Sequence, residues 1–170
     1  MKKTIIFLIL ISLLTFGGCM PRMIHVAGDS MNPTIHHDEW FLLNRNVSAL
    51  NRGDIIVFES PLEAERDRYI RYVQRLIAVA GDTIYIDFYN GNVYLNGEIL
   101  NEPYIMEPTS MQGAFIRELM ERENGWSREN PLVIEDGYLF TMGDNRNNST
   151  DSRRFGPVPI ESVRGTISVR

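Results

Sequence analysis

The sequence predicts one mainly β domain with a small helical insertion, preceded by an N-terminal transmembrane or signal helix. Three observations support this fold class. Short β-branched and aromatic runs separated by turn residues recur after residue 39, a single stretch at 109–124 has helical spacing, and the first 23 residues contain an unbroken apolar run. We therefore divide the chain into a segment 1–23 and a domain 24–170.

Seven runs in the domain have the composition of short strands. Asn and Gly between two of them, in "YNGN" at 89–92, predict a hairpin turn, and Asn96-Gly97 predicts a second. The predicted strands are "EWFLLN", "DIIVFES", "RYIRYVQRLIAVA", "TIYIDFY", "NVYLNGEIL", "GYLFTMG" and "GTISVR".

The predicted helix lies in "TSMQGAFIRELMEREN" at 109–124. Its apolar residues at positions 115, 116, 119 and 120 recur at helical spacing, after possible N-caps at Thr109 and Ser110. We expect it to be an insertion in the β domain.

The N-terminal segment has two lysines, Lys2 and Lys3, before the apolar run Ile5–Leu14. Three interpretations fit: a cleaved secretory signal, an uncleaved membrane anchor, or a lipoprotein signal, because two glycines precede the single cysteine, Cys19. All three place residues 24–170 outside the cytoplasm, and the anchor and the lipoprotein make the lipid bilayer a partner.

The composition excludes several classes of function. A net charge of −5 without a basic run beyond the N-terminus argues against a nucleic-acid partner. One cysteine excludes an internal disulfide framework and a cysteine-built zinc site. We expect no metal and no cofactor.

Three polar clusters contain the residues capable of chemistry: "GDSMNPT" at 28–34, "YVQRLIAVAGD" at 72–82 and "GDNRNNSTDSRRFGPVP" at 143–159. Taken singly, Ser30 fits an ordinary turn, and the charged pairs in the last cluster fit solvated turn residues. Together with "RGDIIVF" at 52–58, the clusters resemble bacterial type I signal peptidases, membrane-bound serine proteases that remove signal peptides from exported preproteins. Gly28 resembles the Gram-positive form of the family.

The resemblance implies that Ser30 is the nucleophile and that its backbone N–H helps to form an oxyanion hole. Gly28 and Asp29 precede it in the turn, and Met31 and Pro33 match positions that shape the turn. Because Gly28 has no hydroxyl, the oxyanion hole would depend on backbone donors.

The last cluster matches the loop that supports the family site. Ser149 matches the residue that hydrogen-bonds the general base, and Asp151 and Arg153 would form an ion pair. The resemblance further implies that signal peptides bind as an added strand, with alanine-like side chains in small pockets, near the bilayer. The supporting residues are Asp144, Arg146, Asp151, Ser152 and Arg153.

The general base of this family is a neutral lysine in a stretch like "YVKRIIGxPGD". Here the stretch is "YVQRLIAVAGD", so Gln74 stands at the position of the lysine, and Ala78 and Ala80 also depart from the pattern. An amide is not a base. From the alternation of the strand alone, Gln74 is the sole amide on a mostly apolar face, which favours a core amide bonded to the backbone.

No other residue is an obvious replacement for the base. The chain has no lysine after Lys3, and its histidines are His25, His36 and His37. Of these, His36 and His37 are expected to be exposed turn residues. We expect Gln74 to lie in the base pocket and to hydrogen-bond Ser149 or Ser30.

Three interpretations of function are consistent with the sequence. The chain is a signal peptidase whose activity is impaired, or a non-catalytic membrane-tethered homologue that binds export substrates or assists surface-protein assembly. Alternatively, Gln74 is an engineered or sequencing change in an active enzyme, although Ala78 and Ala80 argue against a single change.

Overall fold

A computed structural model describes residues 22–59, 70–110 and 126–169. The predicted apolar helix at 4–20, Cys19, and all but the first two residues of the predicted insertion lie outside the described residues. Within the described residues, no helix is both long enough and apolar enough to cross a membrane.

The described chain forms three antiparallel sheets. A five-stranded sheet has the order β10-β9-β4-β3-β11, a four-stranded sheet the order β7-β6-β5-β8, and β1 and β2 form a ribbon. The strands are β1 Met23–His25, β2 Trp40–Leu42, β3 Ile55–Glu59, β4 Arg71–Ala78, β5 Thr83–Asp87, β6 Asn92–Leu95, β7 Glu98–Ile99, β8 Leu132–Val133, β9 Tyr138–Met142, β10 Val158–Pro159 and β11 Val163–Ile167. One short helix, α1 Ser152–Phe155, and a 3₁₀ turn at Ile160–Ser162 complete the described elements.

Each of the seven predicted runs contains a strand, so the mainly β prediction is confirmed. The two predicted turns are also present: Gly91 has φ 78°, and Asn96 and Gly97 have φ 54° and 85°. These positive angles join β5 to β6 and β6 to β7. The sequence prediction missed β1, β8 and β10, which have only two or three residues and show no measurable periodicity.

Strand β4 lies in the middle of the five-stranded sheet and contacts all three apolar clusters. Val73 packs with one cluster, Leu76 with a second, and Ile77 and Ala78 with a third. A bulge between Leu76 and Ala78 accompanies the change of cluster. Only its last three residues, Leu76–Ala78, are buried on both faces, which explains why that end of the strand is continuously apolar.

The register of β4 determines which side chains meet Gln74. On β3, Ile56 lies opposite Gln74, and on β9, Thr141 lies opposite Leu76. Gln74 and Leu76 share a face of the sheet, so Thr141 is the diagonal neighbour of Gln74.

Candidate active site

Ser30 lies in a tight turn that directly follows β1. The Asn32 N–H donates to the Asp29 carbonyl over 3.1 Å, and the Ile35 N–H donates to the Met31 carbonyl over 3.0 Å. The side chain of Met31 is buried in the core, whereas Ser30 is half-buried. Met31 therefore anchors the turn, and Ser30 stays partly accessible to a substrate.

The serine turn packs against the loop that follows β9. The Asn145 N–H donates to the Ser30 carbonyl over 2.9 Å, and the Asn145 side-chain amide donates to the Asp29 carbonyl over 3.0 Å. A Cβ at Gly143 would lie 2.4 Å from the Ser30 carbonyl oxygen and 2.3 Å from Ser149 Oγ. Only glycine at 143 lets Ser30 and Ser149 approach this closely, so the structure brings the two predicted site serines together.

Gln74 is completely buried, and both ends of its amide are hydrogen-bonded. Its Nε2 donates to the Thr150 carbonyl over 2.7 Å, and its Oε1 accepts from Thr141 Oγ1 over 2.6 Å. The predicted hydrogen bond to Ser149 or Ser30 is therefore wrong, because the cross-strand register places a threonine hydroxyl beside the amide. The alternative prediction, a core amide bonded to the backbone, agrees with these contacts.

The Ser149 hydroxyl is buried and has no hydrogen-bond partner among the described residues, although it is close enough to Asp151 to help lower the pKa of that carboxyl. The resemblance implied a bond from Ser149 to the residue at the base position. That bond is absent because Gln74 donates to the carbonyl of Thr150, the next residue along the chain.

Asp151 and Arg153 form the predicted ion pair, and both are buried. Two parallel bonds of 2.8 and 2.7 Å join them, and Asp151 also accepts from the Gly143 N–H over 3.0 Å. Burial raises the pKa of Asp151, but the Arg153 guanidinium outweighs it, and the net pKa lies below its usual range. Ser152 Oγ accepts from the Thr141 N–H over 3.0 Å, which ties α1 to β9.

A second ion pair, between the half-buried Arg75 and the buried Asp144, holds the other end of the loop. Arg75 donates to the Asp144 carboxylate over 2.8 and 2.6 Å, and Thr34 Oγ1 also donates to that carboxylate. Burial opposes the charge of Arg75, but Asp144 raises its pKa above the ordinary value. The Arg75 guanidinium lies 4.0 Å above the ring of Tyr104, whose pKa burial and the nearby Glu102 raise to about 12. Asp144 thus connects the serine turn to β4.

Arg146 is buried and bonds within the same region. Its Nε donates to the Gly143 carbonyl over 3.0 Å, and its Nη2 pairs with Glu102. The loop at 143–146 is therefore held from both sides by charged side chains.

Two of the three histidine rings bond groups other than Ser30, and the third, that of His36, is exposed. His25 Nε2 lies 2.9 Å from Asp38 Oδ1, and the two rings of His25 and Trp40 stack. His37 Nδ1 accepts from the Gly28 N–H over 2.9 Å, and His36 and His37 are exposed, as expected. Across the described ranges, no group of three His, Cys, Asp or Glu side chains is arranged to hold a metal ion.

Several residues around the site were not identified from the sequence. Four of them, Thr34, Arg75, Asn145 and Thr150, lie inside the three polar clusters, so the sequence did draw attention to their positions. The others gave no signal, because only the tertiary register brings them to the site; they are Glu102, Tyr104 and Thr141.

Comparisons with known proteins agree on one family. The family model described as signal peptidase, peptidase S26, matches residues 1–170. The chain is 32% identical over 164 residues to a probable signal peptidase I-1 of Synechocystis sp., covering 93% of this chain and 74% of that protein. It is 33% identical over 147 residues to signal peptidase I S of Bacillus subtilis, covering 83% and 71% of the two chains. The crystal structure of a signal peptidase I from Enterococcus faecalis V583 has 29% identity and a TM-score of 0.49 over 71% of this chain and 97% of that chain.

Proposed function

Because the chain belongs to the signal peptidase I family of serine proteases, we propose that it binds signal peptides of exported preproteins beside Ser30 and cleaves them far more slowly than its relatives. The observation that carries this proposal is the environment of Gln74. A fully buried amide, bonded at both ends, stands at the position where the resemblance implies the general base.

A serine hydroxyl needs a proton acceptor to become a nucleophile. The amide of Gln74 cannot accept that proton, and the chain has no lysine beyond Lys3. Two histidine rings are engaged with Asp38 and the Gly28 N–H instead of Ser30. General-base catalysis typically accelerates a reaction by ~10²–10⁴. Without a base, we expect the site to bind signal peptides but to cleave them slowly.

The contacts that would position a bound peptide do not involve the residue at the base position. The serine turn is fixed to the following loop by Asn145, and that loop is fixed by the Asp151–Arg153 and Arg75–Asp144 pairs. These contacts support a preserved binding geometry in which Ser30 and its backbone N–H keep their positions.

The N-terminal segment would keep this site close to the membrane. Nine residues separate Met20 from Ser30, and an extended chain covers at most ~3.3–3.6 Å per residue, so Ser30 would lie within roughly 30–35 Å of the bilayer. A substrate whose apolar segment is still in the membrane could then reach it. Release of the protein by carbonate washing would contradict anchoring, and acyl labelling that is lost on Cys19→Ser would identify a lipoprotein.

The proposal is tested with the full chain in detergent and a fluorescent preprotein peptide that has an alanine-x-alanine site. We expect saturable binding and a cleavage rate at least ~10² below that of signal peptidase I S of Bacillus subtilis measured in parallel. Ser30→Ala should retain binding and serves as the cleavage baseline.

Two results would contradict the proposal. Cleavage at the rate of the relative, unchanged in His25→Ala, His36→Ala and His37→Ala, would show that another base acts on Ser30. Absence of saturable binding would refute the binding function itself.

A further inference from the structure

The peptide bond between Asp29 and Ser30 contains the backbone N–H that would bind a developing oxyanion. Within the described ranges this N–H donates no hydrogen bond, so it is free to bind a ligand. The carbonyl of the same peptide accepts two bonds, from the Asn32 N–H over 3.1 Å and from Asn145 Nδ2 over 3.0 Å. The carbonyl side of this peptide is therefore fully engaged, and its N–H side is open.

The geometry of a peptide bond connects these two sides. In a trans peptide, such as the one between Asp29 and Ser30, the N–H and the C=O lie in one plane and point in opposite directions. Bonds that fix the Asp29 carbonyl therefore also fix the direction of the Ser30 N–H. A hydrogen bond that the carbonyl accepts also polarises the peptide, which makes its N–H a stronger donor.

Asn145 is held on both sides in the position from which it makes this contact. Its backbone N–H donates to the Ser30 carbonyl over 2.9 Å, and its own carbonyl accepts from the Asn148 N–H over 2.9 Å. Its two neighbours in the chain, Asp144 and Arg146, are buried and ion-paired. Asn145 thus bonds the peptides on both sides of Ser30, one with its side chain and the other with its backbone.

We propose that Asn145 is a positioning residue for the oxyanion hole of Ser30, because its side-chain amide directs and polarises the Ser30 N–H. The proposal rests on the proposed function, since an oxyanion forms only where Ser30 attacks a bound peptide. Because Gly28 has no hydroxyl, the hole depends on this backbone N–H. The backbone N–H of Asn145 holds the turn, and its side chain sets the direction of the donor.

The test uses a charged mimic of the oxyanion, so that no general base is required. A signal peptide that ends in an alanine-x-alanine site is made with a boronic acid in place of the last carboxyl group, and a matched peptide ends in an uncharged carboxamide. Ser30 Oγ adds to the boron, the hydroxyl proton leaves to water, and the boron becomes tetrahedral and negatively charged. Fluorescence anisotropy measures the affinity of each peptide for the full chain in detergent.

In the wild type we expect the boronate to bind at least about tenfold more tightly than the carboxamide, and in Ser30→Ala this advantage should disappear. Asn145→Ala should lose about tenfold in affinity for the boronate and less than about threefold for the carboxamide, since complete removal of an oxyanion-hole donor costs ~10²–10³. Equal losses for the two peptides would overturn the proposal, because a purely structural role weakens both alike.

The matched control is Asn148→Ala, whose exposed side chain makes no hydrogen bond among the described residues. Both affinities should be unchanged in this variant. In ¹⁵N NMR spectra the Ser30 amide resonance should move clearly in Asn145→Ala and stay in place in Asn148→Ala. A Ser30 resonance that is unmoved in Asn145→Ala would overturn the role of Asn145.

The two proposals fail in different ways. A wild type that binds the carboxamide but gains nothing from the boronate refutes the oxyanion hole and leaves the binding function intact. Absence of binding by either peptide refutes the proposed function.

If Asn145→Ala does not fold, the wild type itself provides the test. When the Ser30 N–H donates to the boronate oxygen, the Asp29 carbonyl becomes a stronger acceptor, and the side-chain amide protons of Asn145 should move downfield. Side-chain amide protons of Asn145 that stay in place while the adduct forms would overturn the proposal.

Discussion

The carbonyl oxygen of Ser30 accepts the backbone N–H of Asn145 over 2.9 Å, and this bond fixes the serine turn to a loop far along the chain. The Asn145 side chain adds a second bond, to the Asp29 carbonyl. Neither bond involves Gln74. The position of the serine is thus set by contacts that are separate from the residue at the predicted base position.

Gly143→Ala tests how closely these parts pack. The added methyl group would lie 2.4 Å from the Ser30 carbonyl oxygen and 2.3 Å from Ser149 Oγ, so the turn and the loop must separate. We expect a loss of about 1–3 kcal/mol in the free energy of unfolding and clearly weaker binding of a signal peptide. Chemical denaturation and fluorescence anisotropy measure the two effects.

The matched control is Gly137→Ala. Its Cβ would meet open space, but its φ of 83° is unfavourable for alanine, at a cost of about 1–2 kcal/mol. Peptide binding should be unchanged in this variant. Equal binding by both variants would show that close approach at Gly143 is not needed for the site.

Ser149→Ala should leave the protein as stable as before or more stable. The Ser149 hydroxyl is buried without a hydrogen bond among the described residues, and such a group costs about 1–3 kcal/mol; alanine removes this cost together with the smaller attraction of the hydroxyl to the Asp151 carboxylate. Ser152→Ala is the comparison, because it deprives the Thr141 N–H of its acceptor and should lower the free energy of unfolding by a similar amount. Thermal and urea unfolding distinguish the two. If Ser149→Ala destabilises as strongly as Ser152→Ala, the Ser149 hydroxyl has a partner in solution.

The sequence predicts part of this arrangement and leaves the rest undetermined. Alternation along β4 predicted that Gln74 faces an apolar interior, and the turn residues 89–92 predicted the β5–β6 hairpin. The hydrogen-bond partners of Gln74 could not be predicted, because they depend on which residue of β9 lies beside it. A shift of the strand pairing by one residue would turn the Thr141 side chain to the other face, and no local pattern specifies that register.

Asp151→Asn should destabilise the protein at neutral pH and change its acid unfolding. Burial raises the pKa of Asp151, but Arg153 lowers it further, so the folded carboxyl holds its proton less tightly than the unfolded one. The resulting stability is fully present above the unfolded pKa of about 3.9 and is lost as the pH falls below it towards the folded pKa. Breaking a buried ion pair from one side costs about 3–5 kcal/mol, since Arg153 is left uncompensated.

The measurement is urea unfolding from pH 7 to pH 2.5, with the exposed Asp136→Asn as control. The difference in free energy of unfolding between the wild type and Asp151→Asn should shrink below about pH 4. A difference that stays constant over this range would show that the contribution of the ion pair to stability does not depend on the ionisation of Asp151.

His37 should hold the start of the serine turn. The Gly28 N–H donates to His37 Nδ1 over 2.9 Å, so this ring nitrogen is the acceptor. A side chain without an acceptor at position 37 would lose this bond, which lies two residues before Ser30. The other groups facing the ring are Asp38, whose Oδ1 lies 3.4 Å from Nε2, and His25, which shares that oxygen.

Two substitutions test the acceptor. His37→Asn offers an amide oxygen in place of Nδ1, whereas His37→Leu removes the acceptor. In ¹⁵N NMR spectra we expect the Gly28 amide resonance to stay near its wild-type position in His37→Asn and to move clearly in His37→Leu. His36→Asn is the control, because the His36 ring is exposed and only its backbone N–H bonds to Glu39. A Gly28 resonance at the same position in the wild type and in His37→Leu would show that the His37 ring does not hold the turn.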